Sequence, residues 1–507
     1  MEEKKILYST HIFILPFKIL EKNDNNDKKK NDKDRRKELI LSNEKDWKDY
    51  IPTEIIKQGE KASDNEVENN KNMLKYFTKY AKDSLFKYGE DENDNYVMEL
   101  HNTKIKNASF LLECYNSNNQ IIKSFNLELE CVKVKFFDTS VGTLSFIVNN
   151  YETGDIENVL LINNQGRKIY LAYEKEQYPI VTIEKDGEKI SQDISKATIS
   201  YEKENEIVKN DIIGYFINLN KIEPILDDRM YTVSHYLDCT FDKSPKDDRK
   251  EFIKNRWKKY WYQYLFVDTA DSKTCQDKNM EKELLLKSTY TRWKKYETQY
   301  GISRYSFVLW TNDGDFSKET LNIHIKFLYF QLINFVIAQK STIILLNEKI
   351  NNILDSDDIS INTRDEGKKE YQEYLLYLAK MSFREITCQE QGIEIYNLCR
   401  QQMDIENLTE ELDLKIKTLN ERAERIRDER ELENDKKLNK KLNDIGIILG
   451  ILGVFFGILG IGEEYAKNNY NQLNIYGYLI EILKNYSLFS IAFMLGVIFI
   501  LMNRKKK

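Results

Sequence analysis

Between Asp444 and Glu463 the chain carries no charge, and glycines recur at 446, 450, 453, 457 and 460 before a last one at 462. No other segment restricts the fold as strongly. The uncharged stretch Ile445–Gly462 is 18 residues long, near the ~20 that a helix needs to cross about 30 Å of hydrocarbon. Spacings of four and three place Gly446, Gly450, Gly453, Gly457 and Gly460 on one helical face. Such a face lets helices approach closely in lipid. It equally lines the axis of a pore whose apolar constriction gates by dewetting. Both readings stand at this point.

The preceding segment sharpens the picture. Residues 393–445 contain neither glycine nor proline over 53 positions. As one helix they would form a rod of about 80 Å. Ile405, Leu408, Leu412, Ile416, Leu419, Ala423 and Ile426 follow spacings of three and four, which predicts a stalk helix over 393–444 with one apolar seam. That seam suits a copy of itself, another helix or the chain's own domain.

A second uncharged run, Tyr486–Met502, follows an external loop and lead-in at 463–485. Together the two runs predict a transmembrane hairpin. Lysine and arginine orient it. Lys436, Lys437, Lys440 and Lys441 precede the first span as an inner basic collar, and a basic tail at 503–507 follows the second. Both flanks therefore face the cytoplasm, and Glu463 and Glu464 mark the outer mouth. Repeated around an oligomer, those two carboxylates would favour cations.

Composition supports a cytoplasmic N-terminal part. The chain has 507 residues, 32% charged and 41% hydrophobic, enough for a large folded unit. A net charge of −6 argues against direct nucleic-acid binding. "MEEKK" is no signal peptide. Cysteines at 114, 131, 239, 275, 388 and 399 form no C-x-x-C pair, so neither a zinc site nor a disulfide framework is indicated. With four histidines and no H-E-x-x-H, Walker A or G-x-S-x-G element, no catalytic constellation appears. The expectation is that the chain is not an enzyme.

Along the chain, residues 5–20 read as an extended apolar segment ended by Pro16. Residues 21–38 carry fourteen charges in eighteen positions and read as a flexible charged loop. Apolar residues alternate over 126–137 and 142–150, as in half-buried strands. The segment 158–173 reads as two apolar runs around a turn at Asn164-Gln165-Gly166. Beyond 245, residues 247–267 and 279–297 read as amphipathic helices, 303–310 as a strand, and 321–350 as a buried core helix. Lys326, Gln331, Asn334, Gln339 and Lys340 interrupt that last run too often for a span. The fold class expected is α+β, with a mixed, largely antiparallel sheet. The expected domains are a cytoplasmic α/β sensing domain at 1–320, a helical subdomain at 321–392, the stalk and the membrane hairpin.

A large cytoplasmic domain, a long helix leading into the first of two C-terminal spans, and a basic tail resemble the CorA family of divalent-cation channels. That family's Gly-Met-Asn tripeptide is replaced here by Gly460-Ile461-Gly462 followed by two glutamates, which puts selective magnesium uptake in doubt. "HIFILPFK" (11–18), "FDTSVGTLSF" (137–146), "INNQGRKIY" (162–170), "LDDRM" (226–230), "WYQYLFVD" (261–268), "YGISRYSFV" (300–308) and "REITCQEQGIEIY" (384–396) resemble segments of the CorA-like effectors of type III CRISPR systems. The resemblance implies a homopentameric channel of the inner (plasma) membrane with both termini cytoplasmic. It implies opening by a nucleotide second messenger, an S-adenosylmethionine–AMP conjugate (SAM-AMP), and ion leakage that serves antiviral defence.

For such a ligand the sequence offers residue types rather than a phosphate loop. Arg167, Lys168 and Arg229 suit phosphate, and Asp228 suits a ribose hydroxyl or an amine. Arg292, Trp293, Tyr296, Tyr300, Arg304 and Tyr305 combine stacking faces with guanidinium groups; the same aromatics suit a core equally well. Gln389 and Glu390, in "QEQG", form a candidate gating relay at the base of the long helix. Asp-Asp pairs at 227–228, 247–248 and 357–358 are of a kind that holds Mg2+, and more often makes turns and caps. Two other functions compete: a constitutive or magnesium-gated transporter of ordinary CorA type, and a membrane-tethered protein that binds or hydrolyses nucleotides.

Overall fold

The computed structural model describes residues 5–20, 37–38, 40–57, 64–86, 96–168, 177–193, 212–227, 229–242, 248–355 and 361–468. The second uncharged run, the loop before it, the tail, Asp228 and nearly all of the charged loop 21–38 lie outside the described residues. The chain divides into two compact units, Met1–Leu419 and Asn420–Lys507.

The first unit is α+β. Its strands are β1 (Ser9–Ile19), β2 (Trp47–Asp49), β3 (Val97–Asn102), β4 (Ala108–Asn116), β5 (Ile121–Phe137), β6 (Val141–Asn150), β7 (Gln177–Lys185), β8 (Glu188–Asp193), β9 (Ile222–Pro224), β10 (Tyr231–Asp238), β11 (Thr289–Tyr290), β12 (Gln299–Ile302) and β13 (Ser306–Asn312). They form one mixed sheet in the order β11-β12-β13-β10-β1-β6-β5-β4-β7-β8, with β2, β3 and β9 paired beside it. Among the described residues every pairing is antiparallel except β10 with β13.

Helices flank the sheet: α1 (Pro52–Lys57), α2 (Asp64–Tyr76), α3 (Lys79–Leu85), α4 (Ile156–Gly166), α5 (Ile212–Phe216), α6 (Arg249–Phe266), α7 (Lys278–Ser288), α8 (Phe330–Asp355), α9 (Ile361–Lys380), α10 (Glu390–Gln402) and α11 (Ile405–Asn468). Strand alternation divides the core. On β1, Ile12 and Ile14 join the cluster under α8, whereas Phe13, Leu15 and Phe17 join the cluster on the opposite side. On β13, Phe307 and Leu309 face the α8 side, and Val308 and Trp310 pack with α6.

The helix entered at Phe316 and continuing through α8 is long and apolar enough to cross a membrane, and 78% of its most apolar window is buried inside the protein. Its polar residues explain why it belongs to the core. Gln331 donates to Glu99, Asn334 accepts from Thr143 at 3.0 Å, and Gln339 donates to the Tyr396 hydroxyl at 3.0 Å. Lys326 is paired with Glu130. Such side chains are costly in lipid, and here each is bonded to the sheet or to α10 through at least one polar atom. Two π-helical turns, Phe316–Leu321 and Ile325–Tyr329, precede it.

Four expectations change. Pro16 does not end the first extended segment, because β1 runs to Ile19. Its partner on one side switches from β10 to β9 beyond Ile14, and Pro16 lies at that gap, where a missing N–H is tolerated. Residues 158–166 are not strand and turn but helix α4, capped by Asp155, whose carboxylate accepts from the Glu157 N–H at 3.2 Å. The helix expected over 279–297 stops at Ser288, and the chain continues into β11. The uninterrupted rod expected from 393 is broken between α10 and α11, where Asp404 adopts φ 61°.

The seam also divides. Ile405, Leu412, Ile416 and Leu419 are buried in the first unit's own core, whereas Ala423 is exposed. The domain-packing alternative thus holds for the seam's first half. Leu419→Ala is expected to destabilise full-length protein by about 2 kcal/mol, while Leu432→Ala, 60% exposed, should stay within about 0.5 kcal/mol. Denaturant titration of both variants checks this; equal small losses would return the whole seam to a partner.

Candidate functional site

Four of the residues singled out for phosphate or stacking meet in one cavity of about 940 Å³: Arg167, Lys168, Arg229 and Tyr305. Local structure explains the convergence. Helix α4 delivers Gln165, Arg167 and Lys168 at its C-terminal end. Gly166 is required there because a Cβ would meet the Phe13 ring at 2.4 Å. The Arg167 carbonyl accepts from the Met230 N–H at 3.0 Å, tying α4 to the segment that carries Arg229. Asp227 turns that segment by accepting from the Arg229 N–H at 3.3 Å.

The opposite wall follows α6. Val267 closes that helix in the left-handed region, φ 59°, an unusual conformation for a β-branched residue and one found at functional sites. Asn164 Nδ2 donates to the Val267 carbonyl at 2.7 Å, locking α4 to the end of α6. Asp268 follows, buried, and accepts from the Thr274 N–H at 2.7 Å and the Thr274 hydroxyl at 3.0 Å. Burial pushes the Asp268 carboxyl above the usual range, against those bonds and the nearby Arg167. The turn joining β12 to β13 adds Tyr305, whose half-exposed ring lies 5.8 Å from the Arg167 guanidinium. Cys114 lines the base; burial pushes its thiol up to about 12, against the pull of Lys168.

Charge is segregated across the cavity. Arg167 and Lys168 are buried, with Arg229 half-buried beside them, so the floor is basic despite Asp268. Asp155, Glu157, Asp227 and Asp271 make an exposed acidic rim, relieved only by Lys123 among the lining residues. A phosphate fits the floor through charge-assisted hydrogen bonds. A π-face fits Tyr305, and a cationic group fits the rim.

No protein-family model, curated protein or solved structure matches this chain.

The other candidates stand apart from the cavity. Tyr300 is buried in the core, its ring against Phe307 and Tyr329. Arg292 is ion-paired with Glu390 at 2.9 Å and Glu394 at 2.7 Å. Trp293 and Tyr296 are exposed neighbours in a short 3-10 turn. Arg304 is exposed and absent from the cavity lining. Gln389 caps α10 without a side-chain bond. No group of three or more His, Cys, Asp or Glu poised for a metal occurs among the described residues.

In the second unit, α11 continues through the first uncharged run to Asn468. A Cβ at Gly446, Gly450, Gly453 or Gly457 would meet nothing within 4 Å. Ile445, Ile447, Leu449 and Ile451 are each at least 50% exposed in the single chain. Lys436, Lys437, Lys440 and Lys441 are exposed, with Lys437 paired to Glu433 at 2.8 Å. The side chains of Gly460's neighbours and of Glu463 and Glu464 lie outside the described residues.

Sequence reasoning missed Asp268, Gln165 and Thr274. The available signal was "VDTADSKT" (267–274), a run of turn-forming side chains directly after an aromatic-rich helix.

Proposed function

We propose that this chain is a ligand-gated channel of CorA type, a homopentamer of the plasma membrane with both termini cytoplasmic. SAM-AMP, bound in the Arg167–Tyr305 cavity, opens it, and the resulting ion leakage serves type III CRISPR antiviral defence. The cavity carries this reading: a basic floor, an aromatic face and an acidic rim match a ligand that joins a phosphate and adenine rings to cationic sulfonium and ammonium groups. The continuation of α11 into the uncharged run supports the membrane part. Its exposed isoleucines and leucines need lipid or neighbouring helices to cover them. The hairpin runs from Ile445–Gly462 to Tyr486–Met502, with Gly446, Gly450, Gly453, Gly457 and Gly460 inward and Glu463 and Glu464 at the mouth.

Liposome flux tests the proposal. Ions should pass only when SAM-AMP is added on the side of the N-terminal domain. Arg167→Ala should weaken activation by about ten- to a hundredfold, the loss expected for a charge-assisted phosphate contact. Nucleotide-independent leak, or full activation of Arg167→Ala, would overturn it.

A further inference from the structure

One segment of the first unit touches both the cavity and the helix that leads to α11. At its far end, Tyr305 lines the cavity, and its carbonyl accepts from the Thr232 N–H at 3.0 Å. At its near end, residues 287–292 lie along the whole of α10. Ser288 donates to Gln402 at 3.3 Å, and Gln402 Nε2 donates back to the Lys287 carbonyl at 3.1 Å. Tyr290 donates its hydroxyl to Glu394, and Arg292 bridges Glu394 and Glu390. Gln402 closes α10 and Glu390 opens it, so the strap grips both ends of one helix.

The two ends are joined through the sheet. β11 pairs with β12 through Thr289↔Gly301 and Tyr290↔Tyr300. Tyr300 accepts from Gln391 of α10 at 3.4 Å, and Tyr305 follows five positions later. Beyond Gln402, the left-handed Asp404 marks the joint at which α11 begins.

We propose that residues 287–305 transmit cavity occupancy to α10. A ligand that moves the Tyr305 turn moves β12, and the 287–292 strap carries that shift to both ends of α10 and to the Asp404 joint. This rests on reading the cavity as a ligand site, but not on conduction. The contacts suit the task. Arg292 and Glu390 are surface groups, 36% and 77% exposed, and such pairs are weak enough to break and re-form. Transmission requires two arrangements that the ligand distinguishes.

Hydrogen exchange at residues 390–408 of full-length protein reads the transmission directly. SAM-AMP should change exchange there on the order of threefold. In Ser288→Ala/Arg292→Ala the change should vanish, while ligand affinity stays within about threefold because neither residue lines the cavity. An undiminished change in that variant overturns the proposal. Tyr305→Ala serves as a second perturbation that needs no ligand. It should alter exchange at 390–408 in the parent background and not in the strap variant; no change in either background also overturns the proposal. Intact exchange coupling without flux would sink the channel reading alone.

Discussion

Lys135→Met is expected to destabilise the protein by about 3–5 kcal/mol, because it leaves a carboxylate buried without its partner. Lys135 on β5 and Glu99 on β3 are register partners, both nearly inaccessible, with Nζ 3.4 Å from Oε2. Lys135 also donates to the Leu85 carbonyl at 2.6 Å and to Gln331, which in turn donates to Glu99 at 3.0 Å. Burial pulls the Lys135 ammonium down to about 8, with Glu99 opposing the shift. Burial works to raise the Glu99 carboxyl, but Lys135, the His101 bond and Lys133 together hold it well below the usual range. Both groups are therefore charged at pH 7. Removing only the lysine breaks the pair, whereas Glu99→Gln/Lys135→Met removes both charges and should recover most of the loss. Denaturant titration of the parent, both singles and the double measures this. A loss below about 1 kcal/mol for Lys135→Met would show that His101 and Lys133 satisfy Glu99 unaided.

Much of this fold was legible in the sequence, because period-2 alternation survives wherever one strand face differs from the other. Residues 126–137 and 142–150 lie within β5 and β6. The α8 segment was recognisable as core rather than span because Gln331, Asn334 and Gln339 interrupt it. The failures have local physical causes. Residues 159–162 form a short apolar run that fits strand or helix equally, and the deciding signal was the Asp155 cap just before it. Gly166 looked like a turn residue, yet it is there because Phe13 leaves no room for a Cβ. The break at Asp404 contains neither glycine nor proline; aspartate tolerates the left-handed region, so composition gave no warning. Within the site, residue type identified Arg167, Lys168, Arg229 and Tyr305 but could not tell that Tyr300 faces the core. Neighbours in sequence part here: Tyr300 is on a strand under α8, and Tyr305 is on the turn that reaches the cavity. Arg292, chosen as a phosphate ligand, instead holds α10.

Acid should weaken the fold well before the carboxylates titrate, because two histidines are buried neutral. His11 sits on β1 with Nδ1 2.6 Å from Asn163 Oδ1 and Nε2 2.9 Å from Ser9 Oγ. His235 on β10 has Nε2 2.9 Å from Thr311 Oγ1 and Nδ1 3.4 Å from Asn322 Oδ1. Burial pulls His11 down to about 4, against its bond to Asn163. It pulls His235 down to about 3, against its bond to Asn322 and with help from Lys326. The unfolded chain takes up protons near the ordinary histidine value of about 6.5, so below that pH it binds more protons than the native state. Stability from these groups is therefore complete above about pH 6.5 and falls as pH drops toward the folded values. At pH 5 each histidine accounts for a loss of about 2 kcal/mol, roughly 4 kcal/mol together. Unfolding free energy measured between pH 7.5 and 5 should follow that slope. A double variant, His11→Asn/His235→Gln, should be less stable at neutral pH and lose most of that slope, with His101 and His324, which burial also pulls below the ordinary histidine value, supplying what remains. A parent profile that is itself flat would mean that the imidazoles are hydrated, and that the Ser9–Asn163 and Thr311–Asn322 pockets are open to solvent.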